Sequence, residues 1–106
     1  MNQFSLIEGN WETKEVYIDG RLLSPEKSQE VWNHSPDGFN WSYGGSGPAQ
    51  LALALLLEIV SEEEAVRCHQ DFKFAVISAL PQRNFILNAS KIFDWLDSKR
   101  KENETV

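Results

Sequence analysis

Gly44-Gly45-Ser46-Gly47-Pro48 is the stretch best equipped for chemistry. Glycine leaves backbone amides uncovered and allows positive φ, so the chain can turn sharply here. Proline fits the first position of a helix, where its missing N–H costs nothing. The segment therefore predicts a helix start with free N–H groups, and such donors together with the helix dipole attract phosphate or carboxylate. Ser46 would add a hydroxyl donor or act as the helix N-cap. Tyr43 adjoins the loop and would offer its ring to a base or another flat ligand. Asn33, His34 and Ser35 lie upstream, and a hairpin-like return would bring them close, with His34 as an acid, a base or a hydrogen-bond donor near neutral pH. The expected ligand-binding set is His34, Tyr43, Gly44, Gly45, Ser46 and Gly47. The plainer alternative is a tight strand-to-helix turn that binds nothing, with His34 pinning a loop.

Other chemistries find no support. The loop lacks the Gly-Lys-Ser/Thr ending of a P-loop, and its glycine spacing is not that of a dinucleotide fingerprint. There are no paired carboxylates and no nucleophile elbow. Two histidines and one cysteine without short spacing between sites argue against zinc. His69 falls on a buried helical stripe and reads as a satisfied core histidine, with Cys68 beside it as a packed thiol. The sequence thus assigns no catalytic residue, no metal ligand and no cofactor.

Several elements must position the loop. Phe39, Trp41 and Tyr43 alternate with Asn40 and Ser42, which predicts a strand carrying three rings on one face against the following helix. From Pro48 to about Val60 the chain is apolar on nearly every side. Gln50 and Glu58, roughly 80° apart at about 100° per residue, make a thin polar stripe with Ala54 between them. The run is too short for a membrane span, which needs ~20 residues, so it predicts a central core helix. Upstream, residues 3–8 predict a strand with Phe4 and Leu6 on one face. Glu15 to Ile18 and Arg21 to Leu23 predict a hairpin turning at Asp19-Gly20. Residues 24–30 read as a loop with room for a helical turn, and Pro36 and Gly38 suit a tight turn.

Downstream, Ser61 and Glu64 form a capping-box pattern opening a helix from about Glu62 to Leu80. Its buried face would hold Ala65, Cys68, His69, Phe72, Ala75, Val76, Ala79 and Leu80. Val66, Phe74 and Ile77 lie off that face and would contact the last helix or a partner. Asn84 to Leu87 predicts a strand. Asn88 or Ser90 would cap a final helix to about Lys101, with Ala89, Ile92, Phe93 and Leu96 as its stripe. The order predicts an α+β domain, a small antiparallel sheet packed on about three helices, one of them the central apolar helix.

The chain has 106 residues, 42% of them hydrophobic, enough for one core in one domain over 1–106, with about 99–106 a frayed tail. A formal net charge of −6 argues against conventional duplex nucleic-acid binding. One cysteine fits a reducing compartment, and the first residues lack the pattern of a signal peptide, so a cytoplasmic protein that does not engage a membrane is expected.

The run Asn33-His34-Ser35-Pro36-x-Gly38-Phe39-x-Trp41-x-Tyr43-Gly44-Gly45-Ser46-Gly47-Pro48-Ala49-Gln50-Leu51-Ala52-Leu53-Ala54 resembles the signature of a small family of uncharacterised proteins, a domain of unknown function met in bacteria and their phages and plasmids. The resemblance is close over 33–57 and continues weakly through Phe72-Lys73-Phe74 and Leu80-Pro81. Ser42 stands where many relatives are expected to carry glycine. The resemblance supplies no activity. Two readings remain. One is a non-enzymatic, phage- or mobile-element-related binding protein that holds an anionic or nucleotide-like ligand at the glycine loop. The other is a protein-interaction module or inhibitor of a host protein, using the acidic helical surface with Val66, Phe74 and Ile77.

Overall fold

The computed structural model describes residues 1–104, with side chains through residue 103. The expected α+β architecture is what forms. Strands β1 (Leu6–Gly9), β2 (Val16–Ile18) and β3 (Arg21–Leu22) are followed by helices α1 (Glu26–Val31), α2 (Ser46–Leu57) and α3 (Glu62–Phe72). A π-helical segment (Lys73–Ile77), strand β4 (Phe85–Asn88) and helix α4 (Ala89–Glu104) complete the chain. The sheet is antiparallel in the order β3-β2-β1-β4. The first hairpin turns as expected: Asp19 and Gly20 have φ of 51° and 80°, the positive pair that a two-residue turn requires. Asp19 Oδ1 also accepts from the Leu6 amide at 2.9 Å, tying the turn to β1.

Alternation sends Ile7, Val16, Ile18, Phe85 and Leu87 into the core and leaves Glu8 and Ile86 outside. This corrects the expected face of the first strand: Phe4 lies before β1 and is 85% exposed, and Ile7 is the inward residue. Gly9 is needed because the Phe85 ring lies across it; a Cβ there would come within 2.1 Å of Phe85 Cε2.

Helix α2 is the centre of the core, packed against α1, α3 and the π segment. Leu51, Ala52, Leu53, Leu55 and Leu56 are wholly covered. Gln50 is covered too, so no solvent stripe joins it to Glu58, which instead pairs with Arg21 at 2.7 Å. The helix begins two residues earlier than expected, with Gly45 as N-cap and Pro48 third in the helix. At that place its missing N–H still falls among the first-turn donors that have no intrahelical partner.

The aromatic strand does not form. Phe39 and Trp41 are buried as the alternation implied, but residues 39–45 pair with no sheet edge, and Tyr43 is half exposed. The cause is Ser42, whose φ of 81° breaks the extended run. Its amide donates to Ile77 O at 3.2 Å and its hydroxyl to Pro81 O at 2.8 Å, while Trp41 Nε1 donates to Arg83 O at 3.2 Å. The segment is tied to the 77–83 connection, with Trp41 edge-on to Phe85 at 4.8 Å.

The long second helix also departs from expectation. Ser61 caps α3 by accepting from the Glu64 amide at 3.2 Å, but the Glu64 carboxylate goes to Arg100 rather than back to the cap. After Phe72 the chain widens into a π turn, with Ser78 donating to Lys73 O five residues back. The extra residue per turn rotates the buried face. Lys73 and Ile77 turn inward, and Phe74, Ala75 and Ala79 turn outward. Ala75 and Ala79 therefore leave the core, and Ile77 is no partner surface. Helix α4 buries Ala89, Ile92 and Leu96 and runs through Glu104, with Lys99 paired to Asp71 at 2.8 Å. The part of the 99–106 tail beyond residue 104 lies outside the described residues.

Ser42 offers a direct test of this account. Ser42→Gly and Ser42→Ala both remove the hydroxyl bond, but only glycine is at ease at this φ. Glycine is expected to be more stable than alanine by about 1–2 kcal/mol in urea unfolding; equal stabilities would show that the position is unstrained.

Candidate ligand site at the start of the central helix

The glycine loop is shaped by close approach, not by unusual dihedrals. None of Gly44, Gly45 and Gly47 has positive φ, contrary to the expected use of these residues. A Cβ on Gly47 would meet Asn40 Cβ at 2.6 Å and Asn40 N at 3.1 Å, so backbone seats against backbone there. A Cβ on Gly45 would strike the Tyr43 ring at 2.3 Å, and one on Gly44 would reach the Phe74 ring at 2.8 Å. Both rings are exposed, Tyr43 to 49% and Phe74 to 62%, so they flank the loop as movable groups.

No side chain caps α2, and among the described residues no acceptor outside the helix takes the amides of Gly45, Ser46 or Gly47. Ser46 is the first helical residue rather than the N-cap. A recess of about 390 Å³ opens here, with Lys14, Ser35, Asp37, Asn40, Tyr43, Ser46 and Gly47 in its lining. Lys14 Nζ is tethered to Trp11 O at 2.6 Å and stands 3.1 Å from the Trp11 ring centroid. Behind the loop, buried Lys73 donates to Gly44 O at 3.0 Å, and its ammonium lies 4.0 Å from the Phe74 ring centroid.

Of the six residues read from the sequence, Tyr43, Ser46 and Gly47 line this recess together. Gly44 and Gly45 form the loop beside it. His34 does not enter. The return of the chain delivers Ser35 to the recess and turns His34 toward α3, where its Nε2 lies 2.9 Å from His69 Nε2. Trp32 stacks on His34 with ring centroids 4.5 Å apart. Burial holds both imidazoles below their ordinary pKa. For His34 the charges of His69 and Lys73 push the same way, and for His69 the backbone carbonyl bond opposes the shift.

Gln50 fixes this return. Its Oε1 accepts from the amides of His34 at 2.8 Å and Ser35 at 2.9 Å, and its Nε2 donates to Ser28 Oγ at 2.9 Å and Trp32 O at 3.1 Å. Sequence reasoning placed Gln50 on a polar stripe rather than at this return, and gave Lys73 no role. A lone amide on an otherwise apolar, covered helix must find partners, and that rule would have singled out Gln50. Lys73 carried no comparable cue, because its inward turn depends on the π segment.

A small α+β domain with a recess at the mouth of its central helix is the class that fold and site define. Residues 8–98 match the family of unknown function DUF6166, and the chain belongs to that family. Neither the curated proteins nor the solved structures contain a match to it. Among the described residues no helix is long and apolar enough to cross a membrane, and no group of three or more His, Cys, Asp or Glu side chains is placed to hold a metal ion.

Gln50→Ala would leave the Ser35 amide unmet, at about 1–3 kcal/mol, while the His34 amide and Trp32 O keep their bond to each other and Ser28 keeps Pro25 O. A loss of about 1–3 kcal/mol in denaturant unfolding is expected. A loss below about 1 kcal/mol would mean that the return is held by other contacts.

Proposed function

We propose that this chain is a small non-enzymatic binding protein that takes an anionic, nucleotide-like ligand in the recess at the start of α2. The supporting observation is that the amides of Ser46 and Gly47 are unclaimed and that both residues line a recess beside the exposed Tyr43 ring. Amide donors suit a phosphate or carboxylate, and the ring suits a planar group. Gly45 gives the Tyr43 ring room, and Gly44 fixes Lys73 behind the loop. His34 acts on the ligand only through the neighbouring Ser35. Asp37 in the lining opposes a ligand of high negative charge. A cytoplasmic, mobile-element setting belongs to this reading and rests on the sequence alone.

A second reading, a protein-interaction surface, is favoured by the exposure of Phe74. It no longer includes Ile77, which is fully buried.

The two readings separate experimentally. In a thermal-shift series with inorganic phosphate and nucleotides, ligand at about 100 times its Kd should add about 2.7 kcal/mol of stability. Gly45→Ala, which displaces only the Tyr43 ring, should weaken that response, and Tyr43→Ala should cost about 1–3 kcal/mol of binding if a base stacks there. Gly47→Ala is a poor probe because its Cβ meets backbone. The absence of any anion response would sink the ligand reading. Phe74→Glu should leave the fold intact, and under the second reading it should abolish capture of the partner.

A further inference from the structure

The two histidines meet in a bond whose protons can be assigned. His69 Nδ1 lies 2.7 Å from Val66 O, and a carbonyl can only accept, so this nitrogen carries the hydrogen. In the neutral ring His69 Nε2 is then the bare nitrogen, and the 2.9 Å contact requires His34 Nε2–H to donate to it. His34 is left with its lone pair on Nδ1, which has no partner among the described residues. One proton can therefore be added at His34 Nδ1 with the bond intact. A second proton places hydrogens on both facing nitrogens and removes the acceptor.

The surroundings do not offset that second charge. The charged group acting on both rings is the Lys73 ammonium of the π segment. Gln50 from α2 and Trp32 from the loop contribute only uncharged groups. Trp32 also lies edge-on to His69 at 5.4 Å, so both rings and the indole form one packed unit.

We propose that the His34–His69 pair is an acid-released latch: one shared hydrogen bond holds the His34 ring against α3 while the rings are neutral, and double protonation drives that ring off α3, leaving the backbone of the segment on its Gln50 bonds. The sign follows from linkage. Both rings have folded pKa values below the ordinary value of about 6.5, so the unfolded chain binds more protons in mild acid. The stabilisation is present in full above about pH 6.5 and is lost as pH falls through the lowered folded values.

The test is an NMR titration of the imidazole C–H signals from pH 8 to 4.5 with Tm recorded across the same range, without ligand. The pair should titrate in two macroscopic steps below about 6.5, with amide shifts of residues 32–36 moving in the second. His69→Gln can still accept from His34 but cannot become charged, and it should lose less Tm between pH 7.5 and 5 than the wild type. Should that buried substitution prevent folding, His34→Gln makes the same comparison from the more exposed side. A second step at the ordinary value, or an equal acid loss of Tm in wild type and variant, would overturn the latch.

Discussion

A helix enclosed on every side can carry a polar group only if the surrounding chain comes to meet it, and Gln50 imposes that condition here. Its amide lies in the first half of α2, wholly covered, and all its recorded partners come from residues 28–35. The apolar residues of α2 supply the driving force for burial but no direction. Gln50 supplies the direction, because the preceding chain must satisfy both its oxygen and its nitrogen. The resulting path brings α1 and the Trp32–Pro36 segment onto the helix, sets Ser35 beside the recess and aims His34 at α3. Among the described residues no buried side-chain nitrogen or oxygen is left without a partner.

The segment between that return and the helix meets a second constraint. Phe39 and Trp41 must be inside, yet the backbone has to reach the helix start within a few residues. A flat strand would carry Tyr43 inward as well. Positive φ at Ser42 turns the chain instead, so two rings stay buried and the third swings out beside the glycines. The turning is done by a serine, anchored through its hydroxyl and amide to the 77–83 connection. The glycines then serve as places where backbone and rings come close.

This division explains what could be read from the residues alone. The Asp19-Gly20 hairpin, the cap at Ser61 and the apolar run of α2 are local patterns, and each forms, with α2 shifted to Ser46–Leu57. The inward face of β1 was misjudged because alternation does not say which phase is buried until the partner strand and Phe85 are known. The fate of Phe39 to Tyr43 turned on one dihedral at Ser42, a residue type that does not announce positive φ. The π turn is invisible to a 3.6-residue period, and it alone explains why Lys73 and Ile77 are inside while Ala75 and Ala79 are not. Within the site, residue type pointed to the loop and its aromatic neighbour. It could not place His34, whose direction is decided by a glutamine sixteen residues away.

The start of α2 stands out against such complete pairing. A first helical turn always has spare donors, and a neighbouring side chain commonly takes one of them. Here Ser61 does so for α3, but nothing does so for α2. The residue types forbid it: Gly45 at the cap position has no side chain, and Gly47 is held against Asn40, whose own oxygen accepts from the Trp41 amide at 2.9 Å. Openness at this end is thus built from the same close packing that seats the helix, and replacing the glycines to close it would disturb that packing. A spare donor at the surface, as at exposed Ser46, costs little because water can meet it. That makes the helix start affordable as a plain fold device, and it also keeps the donors exchangeable, which a reversible ligand requires.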